Sequence, residues 1–335
     1  YREAAQAMGE RFPLLRFSLA ARRIGWLQCD ALPKTLLKSS QCSRLSQTYF
    51  MGTAELSDNS IDTSSTAAWD HSTNPDFLEY YARQSLSPET IGRFTRVRDK
   101  ALALLAESGD RTGPLEVVDI GCGAGTQCRL WAQLGHHVHG LDVNAPLIEV
   151  ARRRAREEQL EIEFDVGSAT ALPYADASMD VSLLPELLEH VAEWEACLNE
   201  AVRVLKPGGL LYLSTTNWLC PMQDEFNLPM YSWYPPFLKR RYERLAVTTR
   251  PDIANHAKYP AVHWFSFYSL AAYLGRRGFR CLDRFDLIDT EGRGTLQRGA
   301  VGLIRAIPLL RLAGHLLTPN TIVFALKQRH GHAQA

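Results

Sequence analysis

Cysteine is sparse in this chain and never paired in sequence. The seven cysteines, Cys29, Cys42, Cys122, Cys128, Cys197, Cys220 and Cys281, are scattered over 335 residues. None stands at C-x-x-C spacing and their number is odd, which argues against a zinc ribbon or a disulfide framework. Reduced thiols in a cytosol-like compartment, and so a cytoplasmic protein, are the expectation. No apolar run reaches the ~20 residues that a membrane span needs. An excess of either charge is missing too: 37 basic residues balance 37 acidic ones. That removes any global electrostatic case for a nucleic-acid or acidic partner. Repeats and low-complexity tracts are absent. What is there, 46% hydrophobic and 22% charged residues, is an ordinary globular composition with length for one large α/β domain or two small ones.

The first 50 or so residues differ from the rest. They begin at Tyr1, which is not an initiator, and carry Arg11, Arg16, Arg22, Arg23, Lys34, Lys38 and Arg44 against few acids. The expectation is upstream sequence ahead of a start at Met51; an organelle transit peptide is the alternative for an Arg-rich, acid-poor stretch. Residues 52–68, rich in Gly, Ser, Thr and Asp, read as a flexible linker. A domain over 69–335 is expected after an extension over 1–68.

Chemistry is concentrated in Val117-Val118-Asp119-Ile120-Gly121-Cys122-Gly123-Ala124-Gly125-Thr126. An apolar strand runs into an acidic residue, which opens a loop with glycine at every second position. Glycines at a strand-to-helix turn take dihedrals closed to other residues and let a ligand approach bare main chain. Asp142 closes the next strand, His137 to Leu141, roughly 20 residues on, where a carboxylate can hold the two hydroxyls of a ribose. A nucleoside-containing cofactor follows. Its charge is decided by Asp119. The G-x-G-x-x-G dinucleotide loop presents helix N–H groups to a pyrophosphate; here the spacing is G-C-G-A-G and a carboxylate stands at the mouth. That carboxylate repels phosphate and suits the ammonium and sulfonium of S-adenosyl-L-methionine. A dehydrogenase is disfavoured on the same grounds.

These segments resemble the class I S-adenosylmethionine-dependent methyltransferases. Val118 to Gly125 is similar to their first motif and Gly140-Leu141-Asp142 to their ribose motif. Glu163 to Ala169, followed by Leu172-Pro173-Tyr174, resembles the adenine-edge segment. Met179 to Leu184 resembles the fourth strand, and Val204 to Leu211, through Lys206-Pro207-Gly208-Gly209, the turn into the fifth. Glu186-Leu187-Leu188-Glu189-His190-Val191 is most similar to the ubiquinone-pathway O-methyltransferase branch and its small-molecule relatives. The resemblance covers roughly residues 75 to 327. It implies cofactor contacts from Asp119, Gly121, Cys122, Gly123, Gly125, Asp142, Val143, Ser168, Ala169 and Leu184. Relatives usually carry an acid where Ser168 stands, so the hydrogen bond to the adenine amino group is weakened here.

Apolar spacing predicts helices over Phe77 to Tyr81 and Ile91 to Leu105, packed before the first strand. Tyr80 or Tyr81 is a candidate contact for the cofactor carboxylate. From Val117 the pattern alternates strand and helix. Strands are expected near 117–120, 137–141, 161–165, 180–184 and 210–215, with helices near 125–134, 146–159 and 194–204. Phe279–Asp289 and Thr321–Lys327 complete seven strands. This is a Rossmann-like α/β fold, a mostly parallel sheet with helices on both faces. The resemblance implies an antiparallel last strand between the fifth and sixth.

Asn217 to Trp264 interrupts that alternation with Trp218, Phe226, Tyr231, Trp233, Tyr234, Phe237, Tyr242, Tyr259 and Trp264. A connection this long and aromatic is functional rather than disordered. It leaves the carboxyl end of a strand, where ligands bind in open α/β sheets. We read 217–265 as a substrate lid, with Tyr231, Trp233 and Trp264 against the acceptor; an extra small core or a dimer contact is the alternative.

Methyl transfer from a sulfonium is an in-line displacement, so the protein must mainly align the nucleophile and expel water. Removing a hydroxyl proton suits a histidine. His190 after the fourth strand is the first candidate, His263 the second and His256 the third. Glu186, Glu189 and His190, three or four apart, are expected on one helical face, where they form a polar rim or hold Mg²⁺; no metal is assigned. The reading is therefore O-methylation of a hydrophobic or aromatic small molecule, with C- or N-methylation and a non-catalytic cofactor-binding subunit as the alternatives. Leu296 to Leu317, with Arg298, Arg305, Arg311 and His315, is either helical cover for the last strands or a peripheral membrane contact. The first is expected.

Overall fold

The computed structural model describes residues 75–109, 113–223, 225–253, 261 and 263–329, all within one compact unit, Thr63–Ala335. Residues 1–68, His256, Tyr259 and the side chains of Tyr80 and Tyr81 lie outside the described residues.

Seven strands form where apolar runs meet turn residues. They are β1 (Glu116–Ile120), β2 (His137–Asp142), β3 (Ile162–Val166), β4 (Met179–Pro185), β5 (Leu205–Thr216), β6 (Phe279–Leu282) and β7 (Asn320–Lys327). Their order is β3-β2-β1-β4-β5-β7-β6. β1 to β5 pair in parallel, and β7 runs antiparallel between β5 and β6, as the resemblance implied. After β3 the chain crosses back to the far side of β1. The crevice beyond the carboxyl ends of β1 and β4 is thus the topological switch point, where α/β sheets bind ligands.

Nine helices of at least seven residues lie among the described residues: α1 (Pro75–Gln84), α2 (Pro88–Glu107), α3 (Thr126–Ala132), α4 (Ala145–Glu157), α5 (Trp194–Val204), α6 (Pro236–Thr248), α7 (Phe267–Gly275), α8 (Thr295–Ala306) and α9 (Pro308–Leu316). Their starts are written locally. Ser87 accepts from the Thr90 amide, Asn144 from that of Leu147, and Ser266 and Ser269 cap each other; such caps satisfy otherwise orphaned first-turn amides. Alternate strand residues face opposite sides. Val117, Val181, Leu183 and Tyr212 meet Trp131 and Ile148 on one face. Val118, Leu184, Leu211 and Leu213 meet Leu198, Leu270 and Leu274 on the other. Both faces are closed, which is why the central strands are apolar throughout.

Three elements depart from the sequence reading. β5 starts at Leu205, which pairs with Met179 before a register shift. Gly208 turns there at φ +77°, and a Cβ on Gly209 would stand 2.8 Å from the Lys206 carbonyl oxygen. β6 ends at Leu282 rather than Asp289, because Asp283 Oδ1 accepts the amides of Phe285 (2.8 Å) and Asp286 (3.1 Å) and turns the chain out of the sheet. Finally, α6 occupies part of the aromatic insertion; Pro236 at its first turn starts a helix rather than a loop.

Candidate active site

The glycine loop is folded back over β2. The amides of Gly121 and Cys122 donate to the Leu141 carbonyl at 2.7 and 3.0 Å. Gly121, Gly123 and Gly125 all have positive φ, at +74°, +52° and +74°, but the space around the middle one differs from that around the outer two. A Cβ on Gly121 would approach Leu187 Cδ1 to 2.8 Å; on Gly125 it would meet Ala151 Cβ at 2.8 Å and Phe164 Cζ at 3.0 Å. On Gly123 it would meet nothing within 4 Å. The outer glycines allow close packing, and the middle one presents bare backbone to open space. Cys122 is buried, which pushes its thiol up to about 11 and leaves it neutral.

Asp119 is buried at the end of β1. Its Oδ2 accepts from Cys128 Sγ at 3.4 Å, while Oδ1 has no hydrogen-bond partner. Burial, with the nearby Asp142 charge adding, pushes its carboxyl up to about 7. Thr126 Oγ1 and both amide atoms of Gln127 are buried without partners at the start of α3. A buried polar atom left unpaired is costly, and these four atoms have no partner among the described residues. Asp142 is held close by: its Oδ2 accepts the Gly123 amide and its Oδ1 the Asn144 amide, both at 2.8 Å. Val143 beside it is half-buried.

The β3 loop returns to the same place, with the Gly167 amide on the Asp142 carbonyl at 3.0 Å. Ser168 shares a 2.8 Å hydrogen bond with Thr170 Oγ1, and Ala169 is buried. Leu184 differs from expectation. Its side chain is fully buried in the same cluster as Ile120, Leu141, Ala169 and Leu188, so it packs in the core behind the crevice rather than lining it. Gly140 was read as part of the ribose motif without a role of its own, and Arg154 escaped the sequence reading. Gly140 must be glycine, because a Cβ would meet Phe164 Cδ1 at 2.7 Å and Cys122 Sγ at 3.0 Å. Arg154 ties the loop to α1 through the carbonyls of Ala124 (3.2 Å) and Ala82 (2.6 Å) and the Ser85 hydroxyl (3.0 Å).

Residues 118–213 match the methyltransferase domain family. A ubiquinone biosynthesis O-methyltransferase of Chelativorans sp. (strain BNC1) is 36% identical over 128 residues, 37% of this chain and 51% of that protein. One of Brucella ovis is 35% identical over 128 residues, 37% of this chain and 52% of its own length. The family match covers the segment that carries the glycine loop and Asp142, and with these relatives it supports a class I S-adenosylmethionine-dependent methyltransferase domain there. The chain spans about half the length of these curated relatives. Among solved structures, magnesium protoporphyrin IX methyltransferase from Synechocystis PCC 6803 with bound SAM is 16% identical, covers 81% of this chain and 100% of its own, and has a TM-score of 0.47.

On the other side of the crevice, β4 ends in an unusual turn. Glu186 takes φ +53°, its amide donates to the Ser214 carbonyl at 2.8 Å and its carboxylate pairs with Arg93 of α2. Leu188–His190 is a single 3₁₀ turn. Glu186, Glu189 and His190 therefore do not share one α-helical face, since the left-handed residue breaks the spacing. Glu189 is buried with Oε2 unpartnered, and burial, with Glu186 adding, pushes it up to about 8. Among the described residues no cluster of His, Cys, Asp and Glu is arranged to hold a metal ion.

His263 joins this turn from the far end of the insertion. Its amide donates to the Glu189 carbonyl at 3.2 Å and its Nε2 to the Ala192 carbonyl at 2.9 Å. Thr216 Oγ1 donates to the His263 carbonyl at 3.2 Å. The fold thus brings His263 beside the segment that carries His190. A carbonyl can only accept, so Nε2 is the donor in this bond and Nδ1 is the ring nitrogen left to act on a substrate.

The insertion opens and closes at one point, where Asn217 bridges to Phe265 and the Trp218 amide donates to the Phe265 carbonyl at 2.9 Å. It has a core of its own, built on Phe226, Tyr231, Ala246 and Ile253. Tyr231 stacks on Phe226 with centroids 4.1 Å apart, and its hydroxyl donates to Glu243 at 3.0 Å. That corrects its expected place against an acceptor, because a ring this enclosed serves packing. Trp264 packs on the same core beneath Lys239 Nζ, 4.6 Å from its ring. Trp233 is 48% exposed, with Nε1 on the Leu219 carbonyl at 3.2 Å.

Proposed function

We propose that the chain transfers a methyl group from S-adenosylmethionine to a hydroxyl of a hydrophobic or aromatic small molecule. The observation that carries this reading is the buried, half-satisfied Asp119 carboxylate in the same loop as the open backbone of Gly123. A pyrophosphate would face a carboxylate there, whereas an ammonium would give Oδ1 its missing partner. Asp142, fixed against Gly123, suits a ribose diol. When bound, the cofactor supplies a methyl group already activated by its sulfonium.

The protein's own work is then alignment, exclusion of water and removal of one proton. His263, with Nε2 held by the Ala192 carbonyl, is the candidate base at the β4–β5 edge through Nδ1; His190 is the second. The insertion over 217–265, hinged at Asn217 and Phe265, is positioned to cover an acceptor, with Trp233 as its exposed aromatic face. Oxygen as the target is supported by the O-methyltransferase relatives. Calorimetry with S-adenosylmethionine and with NAD tests the donor. Micromolar binding of the first and none of the second is expected, and the reverse would overturn the reading. Turnover with catechol-type acceptors tests the oxygen; product methylated at carbon or nitrogen would overturn that part alone.

A further inference from the structure

Among the described residues no single helix is long and apolar enough to cross a membrane, but α8 and α9, bent by 100° between Ala306 and Pro308, together pass that test. At 12 and 9 residues they extend only roughly 18 and 14 Å, well short of the ~30 Å hydrocarbon core. They connect β6 to β7, and Asn320 at the start of β7 pairs with Thr216 at the end of β5. The hairpin therefore stands on the same sheet edge as the glycine loop, and it enters and leaves from one side.

Its outer surface carries an apolar stripe. Leu296, Ala300, Leu303 and Ile307 follow one helical stripe, and all four are exposed, Leu296 to 91%. Leu309, 75% exposed, Leu310 and Leu317 continue the apolar surface past the bend. Val301 is buried, and Arg305 turns inward to the carbonyls of Phe285 (2.9 Å), Asp286 (3.0 Å) and Ile288 (2.7 Å). A helix surrounded by water directs its apolar stripe to the core; here it points out. Cover for the last strands, the expected role, accounts for Val301 and His315 but not for this stripe.

Charge identifies the occupant. From Gly292 to Ala335 there is no Asp or Glu, while Arg293, Arg298, Arg305 and Arg311 lie in or beside the pair. Arg298 is exposed. The root is rigid: buried Asp283 accepts Arg311 Nε at 2.7 Å and His315 Nε2 at 2.8 Å, and Phe267 stacks on His315. Asn217 Nδ2 adds a bond to the His315 carbonyl at 2.8 Å.

We propose that the α8–α9 hairpin docks on an anionic lipid bilayer. Its leucines enter the headgroup–acyl boundary and Arg298, the arginine not tied into the root, meets lipid phosphate. If the reaction proposed above holds, a bilayer-dissolved acceptor would reach the crevice from this side. The test needs no turnover: sediment the full chain with vesicles of phosphatidylglycerol and phosphatidylcholine, and with phosphatidylcholine alone. Salt-sensitive binding to the anionic vesicles is expected, lowered by about tenfold or more in a Leu303→Ser, Leu309→Ser variant whose melting temperature is unchanged. Arg298→Glu should weaken anionic binding alone. Equal binding to both vesicles would overturn the charge assignment. Absent binding, with a dimer that the leucine changes disperse, would make the hairpin a contact between copies and overturn the proposal.

Discussion

From β1 to β3 the carboxyl-edge loops are short and bond to one another through their backbones, whereas after β5 and β6 the chain leaves on long excursions that hold themselves together. On the first side, the Leu141 carbonyl takes two loop amides, Asp142 takes a third, and Gly125 and Gly140 close on the same Phe164 ring. A change at any of these positions moves its neighbours. On the second side, the insertion carries its own small core and the hairpin its own buried ionic root. Such units can alter their outer surfaces without disturbing the sheet. The difference separates the half proposed to hold the cofactor, fixed by mutual contacts, from the half proposed to hold the acceptor, whose outer surfaces can specialise.

The largest effect should fall where the two halves meet. His263→Ala should lower turnover by ~10²–10⁴ with cofactor affinity nearly intact, and raising the pH should restore part of the rate as the acceptor ionises unaided. Single-turnover assays of His263→Ala and His190→Ala side by side decide between them. A loss confined to His190→Ala would show that the hydrogen-bonded tautomer of His263 is structural.

Next come the glycines, whose roles the comparison sets apart. Gly125→Ala forces a Cβ into Ala151 and Phe164 and should cost about 2–3 kcal/mol of stability. Gly123→Ala meets open space, so only its left-handed backbone opposes it, at ~1–2 kcal/mol, while cofactor affinity falls sharply. Urea melts with parallel calorimetry check this; equal losses of stability would remove the distinction. Asp142→Ala should weaken S-adenosylmethionine binding by ~1.5–3 kcal/mol per charge-assisted bond lost, and unchanged affinity in a folded variant would remove the ribose assignment. The smallest effect belongs to the acceptor half. Tyr231→Phe, which deletes the bond to Glu243, should cost ~1 kcal/mol and leave the cofactor dissociation constant untouched. A weakened cofactor site would mean that the halves are coupled after all.

Much of the cofactor half was legible because its signals are local. A strand, an acid, three spaced glycines and a second acid lie within 27 residues, Glu116 to Asp142, and the contacts among them are made close to where they stand in sequence. The acceptor half depends on distant pairs. Nothing near His263 in sequence says that Ala192 will fix its tautomer, and Asp283 meets its partners 28 and 32 residues later. Leu184 and Tyr231 were misplaced for a common reason: residue type marks a face as apolar or aromatic but not how deeply it is covered. The Glu186–His190 turn failed because a helical period was assumed across a residue at φ +53°. In α8 the period was readable, but which side the stripe faces was not.

The central claim is that Asp119 receives the cofactor ammonium, and its pH linkage tests this most directly. In the free protein burial holds its carboxyl near 7; a bound ammonium stabilises the ionised form and lowers that value. Binding then releases a proton below pH ~7, so affinity must rise with pH and level off above it. Calorimetry from pH 5.5 to 8 in buffers of different ionisation enthalpy should give S-adenosylmethionine affinity rising by roughly tenfold per unit below pH 7, with proton release that disappears in Asp119→Asn. A pH-independent affinity in the wild type, or Asp119→Asn binding as tightly as the wild type above pH 7, would contradict the account.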